Sequence, residues 1–191
     1  MPGLMVQRVS RSGWVKSMAR PWARRFVRDQ RGATLIEFGI LAPVFFVLIG
    51  ATLETGIVFL ANEVLDSAVQ DSTRKILTGE AQNQSLSAEG FRALICQDLY
   101  GLFDCNQLRI KVDVISDFKS AAIEPPIDPN DPTQWKIQST YNPGQASEIV
   151  RVQAYYKWPT IMNFAGFNLA TYSDGTRLLG AVRVFKNEPF Q

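Results

Sequence analysis

Apolar positions divide the chain into three regimes. Residues 38–53 form a run of 16 without a charge, and with residues 33–37 the segment reaches 21, holding a single acid near one end. At ~1.5 Å per residue a helix of that length spans about 30 Å, the thickness of a hydrocarbon core, which predicts a transmembrane helix. Past residue 53 the apolar and small positions recur at spacings of three and four, at Ile57, Leu60, Ala61, Val64, Ala68, Ser72 and Ile76. Asn62, Glu63, Asp66, Gln70 and Asp71 lie between them, so the pattern becomes that of an amphipathic helix with a small-residue stripe. Arg74 and Lys75 followed by Gly79 make a helix end, and one helix is predicted over residues 33–78.

The third regime is short and mixed. Residues 79–86 read as a polar linker, and Ser87 can cap a helix whose one face carries Phe91, Leu94, Ile95, Leu99 and Leu102. Residues 108–114 alternate strictly, as a half-buried strand does, and residues 149–158 and 178–186 predict two more strands. Between them, residues 124–148 hold Pro125, Pro126, Pro129, Pro132 and Pro143 and predict a long loop, either an interaction surface or a mobile segment. The expected fold is α+β. A single-pass N-terminal transmembrane helix continues as a long amphipathic helix, and a small antiparallel-sheet domain follows over residues 79–191.

Charge gives the span a direction. The 191 residues carry a net +2, but residues 1–32 hold eight Lys/Arg against one acid, while the remainder holds 12 against 17. A basic arm suits nucleic acid or a cytoplasmic membrane flank, and the hydrophobic span behind it favours the flank over nucleic acid. Arg20, Arg24, Arg25, Arg28 and Arg31 precede the span, and the first basic residues after it are Arg74 and Lys75. The positive-inside rule then puts residues 1–32, a basic leader, in the cytoplasm and everything after about residue 54 outside. Pro43 lies inside the span, where it predicts a kink that membrane helices tolerate. Two other readings compete, a buried helix of a soluble domain and a secretory signal peptide. The apolar run is long for either, and no clean A-x-A site follows it. Arg24-Arg25-Phe26 has the form of a twin-arginine signal, though paired arginines arise cheaply in so basic an arm.

The candidate chemistry is sparse. The chain has no histidine, so neither a Ser–His–Asp triad nor a His-based zinc site can be assembled from it, and no catalytic, cofactor-binding or metal residues are assigned. Cys96 and Cys105 are a candidate disulfide in an oxidising exported compartment, with two buried thiols as the alternative. Tyr141, Tyr155, Tyr156 and Trp158 either pack the sheet or present a binding face. Asn83-Gln84-Ser85 fits a glycosylation acceptor, which matters only in a eukaryotic secretory pathway.

The acid in the span is Glu37, five residues past Gly32. A carboxylate inside a membrane helix costs roughly 2.5–3.5 kcal/mol at the centre and less near an end. It either snorkels to the interface or has a partner. Cleavage between Gly32 and Ala33 would create a new ammonium about one helical turn from Glu37, or close to Glu37 of a neighbouring subunit. Arg31-Gly32-Ala33-Thr34-Leu35-Ile36-Glu37-Phe38 resembles a type IV prepilin processing site. The continuation to Ile76, with Pro43, Glu54, Ala68 and Arg74, resembles the TadE/TadG-like group of the Tad (Flp) pilus machinery. The ending Phe185-Lys186-Asn187-Glu188-Pro189-Phe190 is similar to that of some such proteins. The resemblance implies a non-enzymatic, pseudopilin-like assembly component. Its partners would be inner-membrane lipid, other Tad/Flp pilus assembly proteins or pilins, and a prepilin peptidase acting at Gly32 and Ala33, with Glu37 setting helix register. A membrane-tethered periplasmic binding domain that uses the span only as an anchor is the alternative, and an anchored enzyme without histidine is a third reading.

Overall fold

The computed structural model describes residues 32–128, 131, 133–164 and 166–190. The basic leader through Arg31, together with Pro129 and Pro132 of the loop, lies outside the described residues. The chain divides into two compact units, Met1–Leu48 and Ile49–Gln191. One helix, α1 (Ala33–Leu77, 45 residues), begins in the first and ends in the second. It is long and apolar enough to cross a membrane.

In the first unit the described part of α1 bares its apolar side chains. Leu35, Phe38, Leu41, Phe46 and Leu48 are all exposed. Pro43 sits within the helix and has no N–H to offer the carbonyl of Gly39. Nothing but the backbone's own pairing and an apolar surround suits such a segment, because in water that surface would be costly.

The second unit is built around the remainder of α1. After it come α2 (Glu80–Asn83), α3 (Ala88–Gln97), β1 (Arg109–Ile115), a single 3-10 turn (Phe118–Ser120), β2 (Ile149–Pro159), the two-residue strands β3 (Asn163–Phe164) and β4 (Phe167–Asn168), and β5 (Thr176–Lys186). Strands β1, β2 and β5 form one antiparallel sheet in the order β1-β2-β5, and β3 and β4 form a small separate hairpin. Register follows the alternation. Val150, Val152, Ala154 and Tyr156 of β2 face one core with Ile110 and Val112 of β1 and Leu179 and Ala181 of β5. Val58, Ala61, Leu65, Ala68, Val69 and Ile76 of α1 and Phe91 and Ile95 of α3 complete it. Ser87 caps α3 as its sequence suggests, its hydroxyl accepting from the Gly90 N–H at 3.0 Å.

Three expectations are corrected. On α1 the inward stripe keeps Ala61, Ala68, Ser72 and Ile76, but Ile57 and Leu60 are exposed and Val58, Leu65 and Val69 are buried in addition. The stretch expected to be a linker contains α2, with Ala81 buried and the Gln82 amide donating to the carbonyls of Pro143 and Gly144 at 3.0 and 3.2 Å. On α3's face Leu102 is 47% exposed, beyond the end of the helix. The proline-rich loop is packed on the sheet where it is described. Ile127 is buried and bridges Trp135, Tyr141 bridges Val112, and Arg109 and Lys157 on the sheet's second face lie over the Trp135 ring. That loop covers the face opposite α1, which explains why Gln153 and Tyr155 on it are buried.

Candidate functional site

The candidate site is the apolar helix and the place where it joins the sheet domain. Glu37, the fifth residue of α1, is exposed among the bared apolar side chains and has no hydrogen bond or ion pair among the described residues. Gly32, one residue before the helix, is exposed. Among the described residues no cation pairs with Glu37.

Glu54 has the opposite environment. Its side chain is buried, with the residue 7% exposed, and both carboxylate oxygens accept backbone hydrogen bonds. The N–H of Ile161 donates to Oε1 at 2.6 Å and that of Met162 to Oε2 at 2.8 Å. Both donors lie in the turn between β2 and β3, so the acid clamps that turn to α1. A charged acceptor shared by two amides is among the stronger hydrogen-bond arrangements. Met162 lies against the helix one turn earlier: a Cβ added at Gly50 would stand 3.0 Å from the Met162 Cε and 3.3 Å from its Sδ.

Further along α1, Asp66 pairs with Arg183 of β5, and Arg183 also donates to the Gln70 side chain at 3.4 Å. At the helix end, Gly79 has φ +80, and a Cβ there would stand 2.3 Å from the Phe190 ring. The adjoining Asn187 is buried and its amide donates to the carbonyls of Pro143 and Gln145, both at 3.0 Å. The C-terminal segment is thereby fastened to the end of α1, and the Glu188 N–H donates to the Leu77 carbonyl at 2.9 Å.

The cysteines sit apart from this junction. Cys96 and Cys105 are joined by a disulfide with Cα atoms 6.1 Å apart. It ties the end of α3 to the segment that packs Phe103 against Tyr156 and Trp158, at ring distances of 4.9 and 5.4 Å. Tyr155 and Tyr156 are buried, and Tyr141 and Trp158 pack against the core, so these four side chains serve the sheet. Burial raises the Tyr141 and Tyr155 hydroxyl pKa values.

The sheet's second face holds a cavity of about 510 Å³ lined by Lys111, Glu124, Lys136, Arg151 and Gln153 among others. Arg151 is already engaged there. Its guanidinium donates to both Asp113 carboxylate oxygens, at 3.2 and 2.6 Å, and those bonds raise its pKa. Among the described residues no group of three or more His, Cys, Asp or Glu side chains is placed to hold a metal ion.

The structure thus brings Glu54, Gly50 and the turn after β2 together, and does not bring the cysteines to them. Glu54 is visible in the sequence as a second acid after the span, but its partners are backbone amides more than 100 residues away, which leave no pattern. Residues 32–74 match the family model described as TadE-like protein. No curated protein and no solved structure matches the chain.

Proposed function

With the chain TadE-like over residues 32–74, we propose that it is a non-enzymatic assembly component of a bacterial Tad/Flp pilus or secretion machine, similar to a minor pseudopilin. The family match and the candidate membrane helix support a membrane-associated pilus component in general terms. One observation carries the finer reading. Gly32 and Glu37 stand at the start of a helix that first bares apolar side chains and then becomes part of a folded core.

In this reading α1 partitions into the inner membrane with the leader cytoplasmic and the sheet domain periplasmic. Cleavage between Gly32 and Ala33 by a prepilin peptidase creates the ammonium that pairs with Glu37 of a neighbouring subunit. That pairing sets helix register, because two charges poorly solvated by lipid neutralise each other at one relative height. Pro43 lets the helix bend between subunits. The sheet domain docks on other pilus components. Glu37→Ala tests the register role: membrane insertion should persist and pilus assembly should be lost. Unchanged piliation in that variant sinks it.

The second reading, a membrane-tethered binding domain, draws on the cavity beside Lys111 and Arg151. It requires nothing of the span beyond anchoring.

A further inference from the structure

Ile161 is the most exposed large apolar side chain among the described residues, at 87%. Its backbone is not slack. The Ile161 and Met162 N–H groups are held by Glu54, and Thr160 gives both its N–H and its hydroxyl to the Gly175 carbonyl at 3.1 and 2.8 Å. A constrained backbone that presents an isoleucine outward needs something apolar outside it, since the exposed area is otherwise unfavourable in water.

The position of the turn along α1 says what that is. Its two attachment points, Gly50 and Glu54, straddle Leu53, the last residue of the uncharged run. On the same stretch Leu53, Ile57, Phe59 and Leu60 remain exposed. The apolar surface of the helix therefore continues past Glu54, because the turn covers the one carboxylate that would interrupt it.

We propose that the turn at Ile161 and Met162 is a membrane-interface anchor, dipping into the headgroup–acyl boundary of the bilayer that α1 crosses. It rests on the reading of α1 as a transmembrane helix. Lipid is the occupant because the turn is fixed by bonds within this chain at the level where the span ends. An inserted molecule thus meets bilayer there whether or not a partner is present. Apolar side chains at such a boundary sit roughly 5–10 Å into it. With α1 as one tether and Ile161 as the second, the sheet domain is held at a fixed height and tilt on the membrane.

The test uses the full-length protein at low density in phosphatidylcholine–phosphatidylglycerol vesicles. Ile161→Cys, Phe46→Cys and Ser116→Cys each carry an environment-sensitive fluorophore, with the labelled unsubstituted protein as background. Ser116 follows β1 at the end of the sheet opposite Pro159. Spin-labelled lipids should quench position 46 most from deep in the acyl chain. They should quench position 161 about twofold from the shallow end, and leave position 116 unchanged. Quenching at 46 but none at 161 overturns the anchor while the span stands. No quenching at 46 removes the span itself. A label at 161 shielded from aqueous iodide yet untouched by spin-labelled lipid indicates a protein contact, and also overturns the anchor. Ile161 is a surface residue, so its replacement leaves the fold intact.

Discussion

Glu37 and Glu54 are carboxylates on one apolar helix, and their surroundings separate them. Glu54 accepts two backbone N–H groups that have no other acceptor in the turn. Glu54→Ala should destabilise the sheet domain by about 2–3 kcal/mol, because it strands two amides and removes a charge-assisted pair. Glu54→Gln, which keeps one acceptor oxygen, should cost less. Denaturant unfolding of the detergent-solubilised protein measures both, and Glu37→Ala should leave that transition where it is. Gly79 is a second single-residue constraint. Its φ of +80 and the Phe190 ring over it leave no room for a Cβ, so Gly79→Ala should cost about 1–3 kcal/mol in the same measurement. The glycine is legible in the sequence as a helix end. The ring that occupies its missing side chain is 111 residues away and is not. Cleavage is also a residue-scale matter: the mass of the native protein should correspond to an Ala33 N-terminus, and an intact Met1 end would reject processing.

At the scale of elements, local pattern and structure largely agree. The helix expected over 33–78 is Ala33–Leu77, and the strands expected over 108–114, 149–158 and 178–186 are Arg109–Ile115, Ile149–Pro159 and Thr176–Lys186. Alternation at period two survives folding because a sheet with one face on a helix must alternate. The inward face of α1 was harder to read. Around residues 57–61 nearly every side chain is apolar, so spacing alone does not say whether Ile57 or Val58 turns inward. The sheet decides, and it takes Val58. The short covalent loop between Cys96 and Cys105 closes only nine residues of separation. The Cys96→Ser/Cys105→Ser pair, or reductant, should therefore lower stability by about 2–3 kcal/mol on loop-closure entropy.

Turn aspartates give the loops a pH dependence. The Gln107 side chain and the Asn106 N–H hold Asp104 below its ordinary pKa of 3.8. The Ser120 N–H and hydroxyl do so for Asp117, and Thr133 does so for Asp131. Each pKa is lower folded than unfolded. Their contribution is therefore complete above the unfolded value and lost as pH falls below it through the folded one. Thermal unfolding should be flat in this respect near neutrality and decline below about pH 4, and Asp117→Asn should flatten part of that decline.

For the whole molecule, the question is whether α1 is a specific assembly helix or only an anchor. Replacing residues 33–53 with an unrelated transmembrane sequence should abolish pilus assembly and leave the sheet domain folded. Full function after the swap would favour the tethered binding domain. The positively charged leader, the uncharged run, the strand alternation and the TadE-like stretch over residues 32–74 are local in the chain. Such features are set by composition and short-range periodicity, so the sequence alone determined the helix, the fold class and the family resemblance. Only the tertiary structure decided that Glu54 clamps the turn after β2, that the proline-rich loop roofs the sheet's second face, and that Phe190 closes over Gly79. Each of those depends on residues far apart in sequence meeting across a packed core, and their contacts have no period to betray them.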